Sequence, residues 1–230
     1  MNIESAIMNG TKVLKDKFIS TARLDSELLM MKVIGKDKKY IILNNHKDLS
    51  FEKINTYKKL IKERANRKPI AYLTNTKHFW KYEFQVSKDT LIPRPDTEIL
   101  IEEVLKITKN KNRIRVLDIG VGSGCILLSI LKERINFYGI GIDINKNCVN
   151  ISKINAKKLK VDNRIKFFKS DVDKFVLGKY DLIVSNPPYI NKHKIKYLER
   201  DVAKFEPISA LDGGLDGLSE IRKVIKKFII

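Results

Sequence analysis

From Arg113 onward, short apolar segments alternate with helical patterns, and this alternation constrains the fold more than any other feature of the chain. The predicted strands are Arg115–Ile119, Tyr138–Ile142, Ile165–Phe168 and Leu182–Ser185, and the predicted helices lie near Ile126–Glu133 and Lys146–Leu159. Apolar strands separated by helices of this length predict an α/β fold with a parallel sheet and right-handed crossovers. Ligands bind such sheets beyond the carboxyl ends of the strands, so the residues that follow each strand are the first candidates for a functional site.

The first third of the chain has a different pattern. Apolar residues recur there at helical spacing, and Ile7, Leu14 and Phe18 share one predicted helix face. The spacing predicts a small helical domain at residues 1–75.

An aromatic, alternating stretch from His78 to Ser87 follows and predicts a β-hairpin. The segment Leu91–Asp96 contains two prolines and predicts a stiff connector, after which Asp96 or Thr97 caps a helix. We therefore predict a hairpin and connector at 76–95 and an α/β domain at 96–230.

The first α/β strand runs into a glycine-rich turn, Val116–Gly124, that opens a helix. An acidic residue, Asp143, closes the next strand 19 residues after Gly124, where a carboxylate can accept hydrogen bonds from both hydroxyls of a ribose. The third glycine comes one residue too early for a dinucleotide fingerprint, so the turn fits an adenosyl group better than NAD. Asp171, after the third strand, either bonds an adenine amino group or caps a turn.

The fourth strand ends in Asn186-Pro187-Pro188-Tyr189. Proline lacks an N–H and has a fixed φ, so this stretch offers hydrogen-bond acceptors in a rigid frame beside an aromatic ring. Acceptors next to a ring suit a planar group with an NH2, such as a carboxamide or a nucleobase edge.

Composition limits the class of protein. No stretch approaches the roughly 18 apolar residues of a membrane span, and the N-terminus lacks the layout of a secretory signal, so we expect a cytoplasmic protein without membrane contact. Two cysteines and three scattered histidines indicate neither a disulfide framework nor a metal site. The net charge of +19 permits direct nucleic-acid binding. Because the lysines are spread along the whole chain, we favour solvated surface lysines as its explanation.

Taken together, these residues resemble the S-adenosylmethionine-dependent class I methyltransferases, and most closely the release factor glutamine methyltransferases, the HemK/PrmC family. The resemblance runs from about residue 20 to residue 220. Beyond the glycine turn and Asn-Pro-Pro-Tyr, it includes the strings Arg23–Leu29, Pro69–Leu73, Phe79-Trp80, Leu91–Glu98, Asp201–Pro207 and Ala210-Leu211.

The resemblance implies a Rossmann-like methyltransferase domain, S-adenosylmethionine as cofactor, and peptide chain release factors as protein partners, docked in part by the helical domain. The methyl acceptor would be the glutamine of their Gly-Gly-Gln loop, so the role lies in translation termination. The implied cofactor-binding residues are Asp118, Gly120, Val121, Gly122, Ser123, Gly124, Asp143, Asp171, Val172 and Asn186. Asn186, Pro187, Pro188 and Tyr189 would bind the glutamine, and Asn186, Pro187 and Tyr189 would be catalytic.

The chain also departs from the family pattern. A class I methyltransferase sheet has seven strands, and the sequence ends before the last three, so the domain is predicted to be truncated at its C-terminus. The strand containing Val184 is then predicted to be an exposed apolar edge. Two other functions stay open: an adenine or guanine amino methyltransferase acting on nucleic acid, and an inactive truncated remnant.

Overall fold

The computed structural model describes residues 1–176 and 178–228. Residues 177, 229 and 230, all inside the predicted α/β domain, lie outside the described residues. The chain divides into two compact units, Met1–Asn75 and Thr76–Ile230. The three-part domain division stays a prediction. Among the described residues, no helix is both long and apolar enough to cross a membrane.

The first unit consists of helices, as the spacing of its apolar residues predicts. They are α1 (Ile3–Lys15), α2 (Ala22–Ile34), α3 (Lys38–Leu43), α4 (Phe51–Ala65) and α5 (Ile70–Thr74). Ile7, Leu14, Leu29 and Met30 are fully buried at its centre. Phe18 is not part of this core: α1 ends at Lys15, and Phe18 lies beyond it with a φ of 55° and an 88% exposed side chain.

The second unit begins with the predicted hairpin and continues as an α/β domain. Its strands are β1 (Thr76–Phe79), β2 (Tyr82–Gln85), β3 (Arg115–Ile119), β4 (Tyr138–Asp143), β5 (Ile165–Lys169) and β6 (Leu182–Ser185). Its helices are α6 (Glu98–Ile107), α7 (Cys125–Glu133), α8 (Lys146–Lys158), α9 (Arg200–Phe205) and α10 (Ser219–Phe228), with 3-10 turns at 95–97, 162–164, 172–174, 192–197 and 208–210.

The four strands that follow the hairpin form one parallel sheet in the order β5-β4-β3-β6. Ile119, the last residue of β3, pairs with Ile142 of β4 on one side and with Ser185 of β6 on the other. The two registers therefore bring the ends of these strands to the same level. The predicted α/β fold with a parallel sheet and a helical N-terminal region is confirmed.

Strand β6 is an edge strand of the sheet within the described residues, but its apolar side chains pack against helices. Val184 is 3% exposed and packs in the core with α6 and α7. On the opposite face, Ile183 packs beside Leu117, Phe175 and Val224 of α10. The predicted edge position of this strand is confirmed. The predicted exposure of its apolar side chains is wrong, because helices cover both faces of the sheet.

One buried side chain joins the hairpin to the glycine-rich turn. Asn155 of α8 is fully buried, and its Oδ1 accepts a hydrogen bond from the Gln85 N–H at 2.7 Å. Its Nδ2 donates to the Gln85 carbonyl at 2.9 Å and to the Ser123 carbonyl at 2.8 Å. The amide thus completes the hydrogen bonding of a strand end and of the glycine-rich turn at once.

We predict that Asn155→Ala lowers the free energy of unfolding by about 3 kcal/mol, because one buried and two partly buried backbone groups lose their partner. Asn150→Ala, on the exposed side of the same helix, is the matched control and should change stability by less than about 0.5 kcal/mol. Urea unfolding followed by circular dichroism measures both. Equal losses for the two variants would contradict the role assigned to Asn155.

Candidate active site

A cavity of about 620 Å³ opens beyond the carboxyl ends of the parallel strands. Its wall is formed by the connector before α6, the glycine turn after β3, and the segments that follow β4, β5 and β6. The turn at 208–210 and helix α10 complete it. This volume lies within the range of small-molecule and cofactor pockets, about 300–1,000 Å³. The position is the one that the order of strands predicts for a ligand site.

The glycine turn after β3 is fixed by the neighbouring strand. The backbone N–H groups of Gly120 and Val121 both donate to the Ile142 carbonyl at 2.9 Å. The Gly122 N–H donates to Asp143 Oδ2 at 2.9 Å, and the Asn145 N–H donates to Asp143 Oδ1 at 2.8 Å. Asp143 therefore holds the turn against β4 while it lies on the cavity wall.

Within the turn, Gly120, Val121, Gly122 and Ser123 line the cavity, but Gly124 does not. Gly124 precedes α7 with a φ of 81°, and a Cβ built there would lie 2.9 Å from the Leu128 side chain. The third glycine is thus required by packing and by backbone conformation.

Asp118 lies inside β3, two residues before the turn, and is fully buried. Neither of its carboxylate oxygens has a hydrogen-bond partner among the described residues. Burial raises the pKa of this carboxyl from 3.8 to about 7, with a smaller contribution from the nearby charge of Asp143. Burial likewise raises the pKa of Asp143. Asp118 does not reach the cavity wall, so any effect on a ligand acts through its charge rather than by contact.

Asp171 and Val172 both lie on the cavity wall after β5. The Asp171 side chain accepts a hydrogen bond from the Asp173 N–H at 3.0 Å and caps the short 3-10 turn. One carboxylate oxygen is therefore used for capping, which was one of the two roles predicted for it.

Asn186, Pro187 and Pro188 follow β6, the strand that pairs with β3, and line the same cavity as the glycine turn. Tyr189 lies off the wall, and its side chain is 63% exposed. The structure therefore brings the first three residues of the predicted amide site to the cavity wall, whereas the fourth, Tyr189, does not line it.

The backbone after Tyr189 is held by a glycine-rich segment near the C-terminus. The Ile190 N–H donates to the Leu211 carbonyl at 3.0 Å, and the Gly213 N–H donates to the Ile190 carbonyl at 2.9 Å. Gly217 has a φ of 81°, and a Cβ built on it would lie 2.5 Å from the Tyr189 carbonyl oxygen. Only glycine fits at this contact.

Several wall residues were not found from the sequence. Thr97 accepts a hydrogen bond from Asn186 Nδ2 at 3.3 Å. Arg94 is paired with the buried Glu206 at 2.5 Å, and Glu206 also accepts from the Ile92 N–H at 3.2 Å. The only sequence signal for these contacts was their position in the two family-like strings, Leu91–Glu98 and Asp201–Pro207. Helix α10 contributes Glu220, Lys223 and Val224 to the cavity wall. No sequence motif indicated this contribution.

Comparisons with known proteins agree with this arrangement. The family model described as the PrmC N-terminal domain matches residues 5–74. The model described as the methyltransferase small domain matches residues 95–203. These two matches cover the helical unit and most of the α/β domain.

Relatives that match almost the whole of this chain show its family. A release factor glutamine methyltransferase of Buchnera aphidicola subsp. Baizongia pistaciae is 40% identical over 226 residues, which cover 98% of this chain and 80% of the relative. One of Clostridium botulinum is 39% identical over 230 residues, covering 99% of this chain and 81% of the relative. The chain belongs to the release factor glutamine methyltransferase family. The family prediction made from the sequence is confirmed.

The fold also matches a solved structure of more distant sequence. The catalytic domain of hMettl16 in complex with the MAT2A 3′UTR hairpin 6 superposes with a TM-score of 0.52 at 20% identity, over 64% of this chain and 56% of that one. At this identity the likeness shows the fold alone.

The contact between Gly217 and Tyr189 gives a testable prediction. Gly217→Ala should lower the free energy of unfolding by about 3 kcal/mol, because it adds a steric clash with backbone to the cost of a left-handed alanine. Gly120→Ala is the matched control, since Gly120 has a φ of 75° and no atom within 4 Å of a built Cβ. We expect this control to lower the free energy of unfolding by about 1–2 kcal/mol. Urea unfolding measures both, and equal losses would contradict the close approach.

The buried carboxyl of Asp118 makes stability depend on pH. Its folded pKa of about 7 lies above the unfolded value of about 4, so the carboxyl is protonated in both states below about pH 4 and has no effect there. Between about pH 4 and pH 7 the unfolded chain releases this proton while the folded protein keeps it. Stability is therefore lost as the pH rises through this window.

We predict that Asp118→Asn removes this part of the pH dependence. Relative to wild type, the variant should gain stability on the order of 4 kcal/mol between pH 4 and pH 8, because a shift of about three pKa units is abolished. Unfolding curves of both proteins at several pH values provide the measurement. A stability difference that stays constant over this range would contradict the raised pKa.

Proposed function

We propose that this chain transfers a methyl group from S-adenosylmethionine to the side-chain amide nitrogen of the glutamine in the Gly-Gly-Gln loop of peptide chain release factors. One observation carries this proposal: the glycine turn and Asn186-Pro187-Pro188 follow neighbouring strands and line the same cavity. A single cavity can therefore hold a methyl donor and a planar amide side by side. The family membership gives the proposal its protein substrate.

The cavity fits the proposed cofactor in size and charge. Asp143 lies on the wall where a carboxylate can accept from ribose hydroxyls. Asp118 is a buried carboxyl without a hydrogen-bond partner beneath the glycine turn, and a cationic ligand near the turn would stabilise its charged form. S-adenosylmethionine carries an ammonium and a sulfonium group and, when bound, supplies an electrophilic methyl group.

The substrate side of the cavity is built from acceptors. Asn186 Nδ2 is bonded to Thr97, which leaves Oδ1 free to accept a hydrogen bond from an amide NH2. The Pro187 carbonyl is a second acceptor from a residue without an N–H of its own. Two acceptors that bind both hydrogens of an NH2 group fix the direction in which its nitrogen faces.

This arrangement accounts for catalysis by position and electrostatics. A carboxamide nitrogen is a weak nucleophile because its lone pair is delocalised into the carbonyl. Orienting it against the methyl donor removes an entropic part of the barrier, and fixed acceptors stabilise the positive charge that develops on the nitrogen. No histidine lines the cavity among the described residues.

We infer that the helical unit contributes to docking of the release factor. It is matched by the PrmC N-terminal domain family, and its surface carries exposed apolar side chains such as Phe18 and Phe51, which are 88% and 80% exposed. Large exposed aromatic side chains are typical of protein-protein contact surfaces.

The proposal predicts that wild-type protein transfers tritium from labelled S-adenosylmethionine to a release factor, and that Asn186→Ala lowers kcat/KM about 10²- to 10³-fold. The reason is loss of the acceptor that orients the amide. Asn150→Ala, exposed on α8, is the matched control and should keep wild-type activity.

Three further arms distinguish the alternatives. A release factor whose loop glutamine is replaced by alanine should accept no label, and neither should RNA or DNA. Label on nucleic acid rather than protein would favour the amino methyltransferase function. Calorimetric titration with S-adenosylmethionine separately tests the inactive alternative, which an absence of binding would support.

A further inference from the structure

We propose that Thr97 is a positioning residue that holds the amide of Asn186 with its Oδ1 facing the cavity. This inference rests on the proposed function for its catalytic consequence, although the orientation itself is a property of the protein alone. Thr97 and Asn186 lie 89 positions apart in the chain and meet on the cavity wall through a hydrogen bond of 3.3 Å.

The position of Thr97 makes its hydroxyl available for this contact. Thr97 stands at the N-cap of α6, where a threonine ordinarily accepts a hydrogen bond from the first turn of its own helix. Its side chain makes no capping hydrogen bond. The hydroxyl instead accepts a hydrogen bond from Asn186 Nδ2, so this side chain contacts the cavity wall and not the first turn of its own helix.

The two ends of an asparagine amide have opposite hydrogen-bonding character. Nδ2 only donates, and Oδ1 only accepts. Oδ1 of Asn186 has no partner among the described residues, while Nδ2 is bound to Thr97. An NH2 group in the cavity can therefore meet an acceptor. In the flipped orientation it would meet a second NH2 group, and two donors cannot bond to each other.

Thr97 holds the end of the amide that faces away from the cavity, and in the structure its hydroxyl accepts from Nδ2. A hydroxyl can also donate, so an NH2 group in the cavity adds the preference for the orientation in which Oδ1 faces it. Without its hydroxyl, Nδ2 has no protein partner when Oδ1 faces the cavity, and the amide gains by turning Nδ2 toward cavity water. The protein would then spend part of its time with a donor facing the substrate nitrogen. Removal of the Thr97 hydroxyl thus affects orientation without removing Asn186.

The segment that carries Thr97 is itself held in place. Pro93 and Pro95 restrict the backbone before it. The Glu206 carboxylate, with a side chain 1% exposed, binds the Arg94 guanidinium at 2.5 Å and the Ile92 N–H at 3.2 Å. A hydroxyl on a fixed segment can impose one orientation on Asn186, whereas a hydroxyl on a mobile loop would follow it.

The test compares Thr97→Val, which lacks the hydroxyl at similar volume, with Thr97→Ser, which keeps it. First, the isolated protein is labelled with ¹⁵N-asparagine, and the Asn186 side-chain signal is assigned by its loss in Asn186→Asp. We expect solvent exchange of the Nδ2 protons to be faster in Thr97→Val, and to return to the wild-type rate in Thr97→Ser. Unchanged exchange in Thr97→Val would overturn the proposal.

Second, the same variants are compared in methyl transfer to a release factor. Thr97→Val should lower kcat about 10-fold and leave the KM for S-adenosylmethionine within about twofold, as loss of one neutral hydrogen bond implies. Thr97→Ser should restore kcat. In an Asn186→Ala background, Thr97→Val should cause no further loss, because its effect passes through Asn186. An equal loss in that background would overturn the positioning role.

Thr108→Val, at the C-cap of α6, is the matched control, since its hydroxyl donates to the Val104 carbonyl and Thr108 does not line the cavity. It should leave Asn186 exchange and both kinetic constants at the wild-type values. Thr97→Ala serves as a second variant without the hydroxyl if Thr97→Val does not fold. If wild type proves inactive toward release factors, the proposed function fails, and the exchange measurement still decides whether Thr97 holds Asn186.

Discussion

Strand β3 pairs with a parallel strand on each side, and the two registers are level at its carboxyl end. Ile119 is opposite Ile142 in β4 and opposite Ser185 in β6. The next residues along the three strands are Gly120, Asp143 and Asn186. The pairing therefore places functional groups that are more than sixty positions apart in the chain at one edge of the sheet. The cavity, the glycine turn and the amide acceptor all depend on this pairing. A slip of one residue would reverse the faces of a strand and separate the groups.

Rigidity around the cavity comes from hydrogen bonds and close contacts that tie its loops to the rest of the domain. The glycine turn is tied to β4 through Asp143 and to α8 through Asn155. The connector before α6 is tied to Glu206, and the backbone at Tyr189 is enclosed by Gly217. A reaction that depends on orientation rather than on a strong base requires such support, because small displacements of the acceptors would weaken it.

The sequence predicted the fold well where local pattern decides structure. Strands β3 and β6 have the predicted bounds, since each is an apolar run between turn-forming residues. Contacts between residues distant in the chain could not be predicted from the sequence. Thr97 was predicted as a possible cap, but its hydroxyl binds Asn186, and Gly217 had no assigned role before the structure placed it on Tyr189. Phe18 fitted a helical spacing, although α1 ends before it and leaves it exposed.

The orientation of the target amide in the cavity is the central claim, and a crystal structure with S-adenosylhomocysteine and free glutamine tests it most directly. The account predicts the glutamine side-chain nitrogen about 2.7–3.2 Å from Asn186 Oδ1, also bonded to the Pro187 carbonyl and facing the sulfur atom. Glutamine bound outside the cavity, or with its nitrogen turned away from the sulfur, would contradict the account.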